Sequence, residues 1–357
     1  MNYPRNAWYV ASWSQDLGER KPMGVSILDE PIVIWRSDTC LTALEDRCVH
    51  RLAPLSMGRC EGDKLRCHYH GFLYNSDGAV VEIPGQQIVP RQARVRRYAV
   101  AERHSWIWVW MGDPGLADET LIPPAIGFDN PDWILGHGFL DYAAEAQLIN
   151  DNLLDFSHLP YVHAASFKPP ASFSESLPKL TATARGVRIE RWTESGNAAF
   201  GEVRDAGDVY TGYDFLVPGI LLMWNGRFPE GTAKAFDYGK PDYAQAVRDV
   251  TFTSQAVTPT GRRAARYFFS WGPHRAHGDE ALRDVLMTIA GQAFSEDKTI
   301  IEAQQRIIDK TTSPKILPSG HDRAVTMFNN LVARMVREEA AAAMASQPNE
   351  TPRREIA

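Results

Sequence analysis

The sequence predicts an α+β chain: an all-β domain over residues 1–115, then a larger domain over residues 116–357 with a curved antiparallel sheet and long helices. Three features carry this expectation. Short apolar runs broken by turn residues fill the first third, Trp110-Met111-Gly112-Asp113-Pro114-Gly115 interrupts them, and helical periodicity dominates only near the C-terminus.

In the first domain, residues 25–28, 32–35, 41–44, 79–83 and 106–110 read as strands because apolar and β-branched residues cluster there. Asp29-Glu30-Pro31, Asn75-Ser76-Asp77-Gly78 and Pro84-Gly85 supply the turns. The second domain opens with a helical stretch at residues 150–163, followed by a Ser-, Pro- and Phe-rich loop to Pro178 that would border an active-site mouth. Strands follow at residues 180–184, 187–192, 220–224, 250–254 and 265–271. Helices are expected from Asp279 to Asp309 and from Asp322 to Met344, with a frayed tail after Ser346.

Composition narrows the function. With 357 residues, 44% hydrophobic and 23% charged, the chain builds a large core without staples. A formal net charge of -6 argues against a nucleic-acid binder. No apolar run approaches the ~20 residues that span a bilayer. The N-terminus lacks a basic region followed by an apolar one, so a cytoplasmic location is expected. The four cysteines are too few for a disulfide scaffold, and Cys40 and Cys60 read as ordinary thiols.

The most specific signal is Cys48-Val49-His50, sixteen residues, then Cys67-His68-Tyr69-His70. Each short loop supplies one Cys and one His, whereas zinc fingers pair Cys with Cys and His with His. Alternation suits a Rieske [2Fe-2S] cluster, in which two thiolates hold one iron and two imidazoles the other. Zinc is the competing occupant, and His68 falls outside the ligand spacing. Arg47, Arg51, Arg59, Lys64, Arg66, Arg91, Arg94, Arg96 and Arg97 lie near the loops in an acidic chain. Either they solvate strands or they steer an acidic electron donor to the cluster.

A second constellation lies in residues 150–163. As one helix, it would stack Asn152, Asp155 and His158 on a face, and Pro160 would end it so that His163 swings back. Two imidazoles and a carboxylate would form a facial triad with open positions on Fe(II). The competing reading is a buried helix with hydrogen-bonded histidines. Asp297 lies on the apolar stripe of the 279–309 helix, where a charge needs a metal or a partner, so it is the candidate third ligand. Glu296 and Glu302 fall off that stripe and read as surface.

With these motifs and Pro4-Arg5-Asn6-Ala7-Trp8-Tyr9-Val10, Ile83-Pro84-Gly85-Gln86 and Glu296-Asp297-Lys298, the sequence resembles the oxygenase component of Rieske non-heme iron oxygenases. Within that family it is similar to the branch of vanillate O-demethylase, dicamba O-demethylase and toluenesulfonate methyl-monooxygenase. The resemblance implies cluster ligands Cys48, His50, Cys67 and His70, mononuclear Fe(II) ligands His158, His163 and Asp297, and an iron-proximal amide at Asn152. It implies that Asp155 bridges a Rieske histidine of one subunit to an iron-ligand histidine of the next, in a homotrimer, and that the catalytic domain is a helix-grip fold.

The implied activity is O-demethylation or methyl hydroxylation of a small, acidic aromatic compound with O2. Electrons would come from a flavin/iron-sulfur reductase or ferredoxin, so NAD(P)H enters only through that partner. Met223 or Trp224 and Gln255 stand where the branch places polar substrate contacts, and Val49 replaces a common Pro. The competing functions are an aromatic-ring dihydroxylating dioxygenase, a Rieske electron-transfer protein without catalytic iron, and a zinc-stabilised binding module.

Overall fold

The computed structural model describes residues 3–38, 40–169, 174–194, 207–313 and 315–345. The first part comprises β1 (Trp8–Trp13), β2 (Met23–Ile27), β3 (Glu30–Arg36), β4 (Leu41–Glu45), β5 (Arg59–Glu61), β6 (Lys64–Arg66), β7 (Leu73–Tyr74), β8 (Val80–Glu82), β9 (Arg97–Tyr98), β10 (Val100–Arg103) and β11 (Trp106–Trp110). They form three antiparallel sheets, ordered β1-β11-β10, β2-β3-β4-β9 and β5-β6-β7-β8. The second part runs β12 (Gly136–Tyr142), α1 (Ala146–Leu154), α2 (Leu159–Val162), β13 (Lys179–Thr183), β14 (Gly186–Thr193), β15 (Asp208–Leu216), β16 (Ile220–Phe228), α3 (Thr232–Ala235), β17 (Arg248–Gly261), β18 (Ala264–Pro273), α4 (Glu280–Ile308) and α5 (Arg323–Ala345).

The second part is organised by a seven-stranded sheet in the order β12-β18-β17-β16-β15-β14-β13. Side chains alternate across a strand, so each residue of β16 chooses a face. Leu221 and Met223 join the core beneath α1, α4 and α5, while Ile220 and Leu222 join a second core with Trp8, Trp13, Trp106, Trp108 and Trp110. The sheet is therefore covered by helices on one face and by β1, β10 and β11 on the other. This explains why β16 reads as a continuous apolar run rather than an alternating one.

Two departures from the sequence expectation bear on the site. Residues 150–163 are not one helix broken at Pro160: α1 stops at Leu154, Asp155 takes extended angles, and its side chain accepts from the Ser157 N–H to cap a 3-10 turn at Phe156–His158. Pro160 then sits in the first turn of α2, where its missing N–H costs nothing. Strands β12 and β15 had no expectation, because Gly136-His137-Gly138 and Asp208 to Leu216 mix glycine and polar residues into the run. Residues 164–169 and 174–178 carry no α-helix or strand, as expected of that loop. Residues 170–173 and the tail from 346 onward lie outside the described residues. Among the described residues, no helix is long and apolar enough to cross a membrane.

Candidate metal centres and active-site cavity

The first centre is built from two similar loops, one between β4 and β5 and one between β6 and β7. In each, the Cys N–H donates to the carbonyl five residues on: Cys48 to Ala53 and Cys67 to Phe72, both at 2.8 Å. Leu52 and Gly71 donate back to the Cys48 and Cys67 carbonyls, and both take left-handed φ, 57° and 74°. For Gly71 this conformation is free, while Leu52 adopts it at a steric cost. The loops bury both thiols and leave His50 and His70 exposed, with ring centroids 4.4 Å apart. His50 stacks on Phe72 with 2° between the rings. Tyr74 Oη donates to Cys48 Sγ at 3.2 Å, and the backbone N–H groups of Tyr69 and His70 point at the Cys67 sulfur.

The second centre joins the α1–α2 segment to α4. Donor atoms of His158, His163 and Asp297 lie within 4.8 Å of one another. Asp297 is buried, on the face of α4 that also buries Ala293 and Ile301. The Asp155 main-chain carbonyl accepts from His158 Nδ1 at 2.6 Å, and Glu296 Oε2 accepts from His163 Nδ1 at 2.9 Å. A carbonyl or carboxylate only accepts, so each Nδ1 carries the proton and each Nε2 presents a lone pair. Those lone pairs face Asp297 Oδ1 at 3.5 Å from His158 and 3.2 Å from His163. Acceptors converging on one point repel unless a cation lies among them or a ring takes up a proton. Asn152 Nδ2 adds a donor to Asp297 Oδ1 at 3.1 Å.

Electrostatics follow. Burial lowers the His158 pKa and keeps the ring neutral, the form that ligates metal. Burial acts in the same direction on His163, but hydrogen bonds to Asp297 and Glu296 outweigh it and raise the pKa. Burial would raise the Glu296 carboxyl, yet hydrogen bonds from Ser166, His163 and Gln292 prevail and hold it ionised.

A partly open cavity adjoins this triad. Its walls are apolar, from Leu153, Phe156, Phe167, Met223, Trp271 and Phe294, with Thr253 and Gln255 the polar groups away from the triad and Asn152.

Known proteins agree with this arrangement. Residues 7–95 match the Rieske [2Fe-2S] domain model, and residues 142–338 match the vanillate O-demethylase oxygenase C-terminal domain model. The chain is 33% identical to the toluene-4-sulfonate monooxygenase system iron-sulfur subunit of Comamonas testosteroni, covering 94% of this chain and 97% of that protein. It is 31% identical to the vanillate O-demethylase oxygenase subunit of a Pseudomonas strain, over 96% and 98% of the two chains. The crystal structure of dicamba monooxygenase bound to dicamba superposes with a TM-score of 0.80 at 28% identity, covering 94% of this chain and 98% of that one. The chain belongs to the Rieske non-heme iron oxygenases.

The residues fit both metal groups of this Rieske oxygenase. Two buried thiols with hydrogen-bond donors aimed at their sulfurs suit the inner iron of a [2Fe-2S] cluster, and two exposed imidazoles suit the outer one. The converging lone pairs of His158, His163 and Asp297 suit a mononuclear iron with open positions.

The other sequence-derived residues divide. Asn152 lies beside the triad, and Met223 and Gln255 line the cavity. Trp224 does not line it: strand alternation turns it to the opposite face, where it packs on Phe252 with ring centroids 5.1 Å apart. The Asp155 carboxylate caps the 3-10 turn and borders a separate hollow with Arg191, Tyr213 and His321. Glu296 and Glu302 are not idle surface groups. Glu296 orients His163, and Glu302 accepts from the Ala143 N–H at 2.9 Å. Their positions beside Asp297 and one turn beyond it were the available signal. Most basic residues near the first centre are already paired: Arg47 with Glu45, Arg59 and Arg66 with Glu61, Lys64 with Asp63, Arg96 with Glu30 and Arg97 with Asp77.

Proposed function

We propose that this protein is the terminal oxygenase of a multicomponent monooxygenase, removing an O-methyl group from, or hydroxylating a methyl group on, a small aromatic compound. The observation that carries this reading is the triad of His158, His163 and Asp297 opening onto a cavity walled by aromatic and aliphatic side chains. When bound, the mononuclear iron supplies O2 activation and the [2Fe-2S] cluster delivers electrons from a flavin/iron-sulfur reductase or ferredoxin. The protein's part is positional. Asp155 O and Glu296 lock both imidazoles in the tautomer that offers Nε2, while Phe156, Phe167, Trp271 and Phe294 exclude water and hold a ring.

The balance for demethylation is one ether, O2, two electrons and two protons giving a hemiacetal and water. The hemiacetal then breaks its C–O bond to release a phenol and formaldehyde. In a head-to-tail homotrimer, Asp155 joins His70 of one subunit to His158 of the next, its carboxylate accepting from His70 and its main-chain carbonyl from His158 Nδ1. The test is substrate-stimulated oxygen uptake with a reductase, scored for formaldehyde or an aryl alcohol, using labelled dioxygen. Incorporation of both oxygen atoms into one ring product would instead assign ring dihydroxylation.

A further inference from the structure

We infer that the substrate is an uncharged aromatic compound carrying a hydrogen-bond donor, and that Gln255 Oε1 selects it; this rests on the oxygenase reading above. The cavity holds no countercharge for an acid. Among the described residues no Lys or Arg lines it, and Lys168, next in sequence to Phe167 in the wall, is exposed and points elsewhere than the lining. A divalent ion at the triad leaves no surplus positive charge either, because the carboxylates of Asp297 and Glu296 match it. An anionic ring would therefore lose its hydration without a cationic partner, a large penalty in an apolar cavity.

What the wall offers instead are neutral polar groups, among them a buried acceptor. Gln255 is 3% exposed, and its Oε1 has no hydrogen-bond partner. The amide's orientation follows from its neighbours. Thr253 Oγ1 must donate to the Ser270 carbonyl, which cannot donate, so toward Gln255 the hydroxyl can only accept. Gln255 Nε2 lies 3.3 Å from that hydroxyl and donates to it, which turns Oε1 away. Reversing the amide would set two acceptors against each other. A buried acceptor without a donor is costly, and a phenolic O–H or an amide N–H on the substrate would satisfy it.

The experiment measures anaerobic binding to the holoenzyme by calorimetry, with four probes: guaiacol, its O-methyl ether veratrole, the carboxylated analogue vanillate and the neutral ester methyl vanillate. Guaiacol is expected to bind on the order of tenfold more tightly than veratrole, and methyl vanillate at least about tenfold more tightly than vanillate. Gln255→Leu should erase the guaiacol preference, Gln255→Glu should keep it and weaken vanillate further, and Gln255→Lys should turn the preference toward vanillate. Vanillate binding as tightly as its ester would overturn the proposal. So would an unchanged guaiacol-to-veratrole ratio in Gln255→Leu, or failure of every neutral donor-bearing probe to bind. Binding as expected with neither formaldehyde nor aryl alcohol formed on turnover would leave this selectivity standing and defeat the monooxygenase reading instead.

Discussion

Glu296 Oε2 accepts from His163 Nδ1 at 2.9 Å while Asp297 Oδ1 faces the same ring's Nε2 at 3.2 Å, so consecutive carboxylates of α4 hold opposite edges of one imidazole. Glu296 also accepts from Ser166 Oγ at 2.6 Å, which ties the loop after His163 to the same carboxylate. Removing it frees the ring to rotate and to change tautomer. Glu296→Ala is expected to weaken mononuclear iron binding by roughly 10–100-fold. Glu296→Gln, whose amide oxygen still accepts, should lose less. Metal analysis alongside the cluster's absorption checks this, because iron should fall while the absorption stays. Equal loss of both would mean that Glu296 supports the fold rather than the ligand.

Tyr74 Oη donates to Cys48 Sγ and accepts from the Val49 N–H at 2.9 Å, bracing the first Cys/His loop from below. A donor to a thiolate sulfur stabilises the extra negative charge of the reduced cluster. Tyr74→Phe should therefore lower the midpoint potential, by tens of millivolts to order of magnitude. The cluster should still assemble, since both cysteines and both histidines remain. Protein-film voltammetry or a redox titration followed by absorption measures the shift. An unchanged or higher potential would remove Tyr74 from the tuning of this cluster.

The candidate ligand residues stood out in the sequence because their chemistry is rare and tightly spaced. Cys48, His50, Cys67 and His70 are marked by alternation, and Asp297 by a charge on an apolar stripe. Strands with apolar runs, such as β16 and β11, were legible for the same reason. The supporting residues were not. Glu296 differs from a solvated glutamate only through His163 and Ser166, which lie more than a hundred residues away in sequence. Asp155 halts the helix because its side chain captures the Ser157 N–H, a local competition that the apolar periodicity of the segment conceals. Trp224 and Met223 are neighbours in sequence, and only the sheet's covering on both faces decides which one meets the cavity.

Burial raises the pKa of the Asp151 carboxyl, and hydrogen bonds from Gln147 and Asn329, both to Oδ1, offset only part of that. A carboxyl whose folded pKa lies above its unfolded value binds its proton more tightly in the fold. Stability from this group is complete below the unfolded pKa of about 3.9 and is lost as pH rises through the folded pKa. At neutral pH the ionised side chain is thus a cost. Asp151→Asn keeps an oxygen for both donors and removes the charge, so the variant should be more stable than the parent at neutral pH. The gap should close as the solution is acidified toward about pH 4. Denaturant midpoints across that range test this, and a gap that widens on acidification would contradict it.

Asp155 combines two roles that one substitution can separate. Its main-chain carbonyl holds His158 Nδ1 at 2.6 Å, and its side chain accepts from the Ser157 N–H at 2.8 Å. Asp155→Asn retains the carbonyl and leaves an amide oxygen for the cap, so the α1–α2 segment and both metals should be kept. With His158 Nδ1 on the main-chain carbonyl and Oδ1 on the Ser157 N–H, the relay needs Oδ2 to accept from His70 of the neighbouring subunit, whereas an amide that keeps the cap sets its N–H groups against that ring. The variant should therefore contain normal cluster and mononuclear iron yet lose substrate-coupled oxygen uptake on the order of 100-fold. Its reduced cluster should stay reduced when substrate and O2 are added in a single turnover. Near-normal coupled activity would refute the carboxylate relay and leave Asp155 as a helix-stop residue alone.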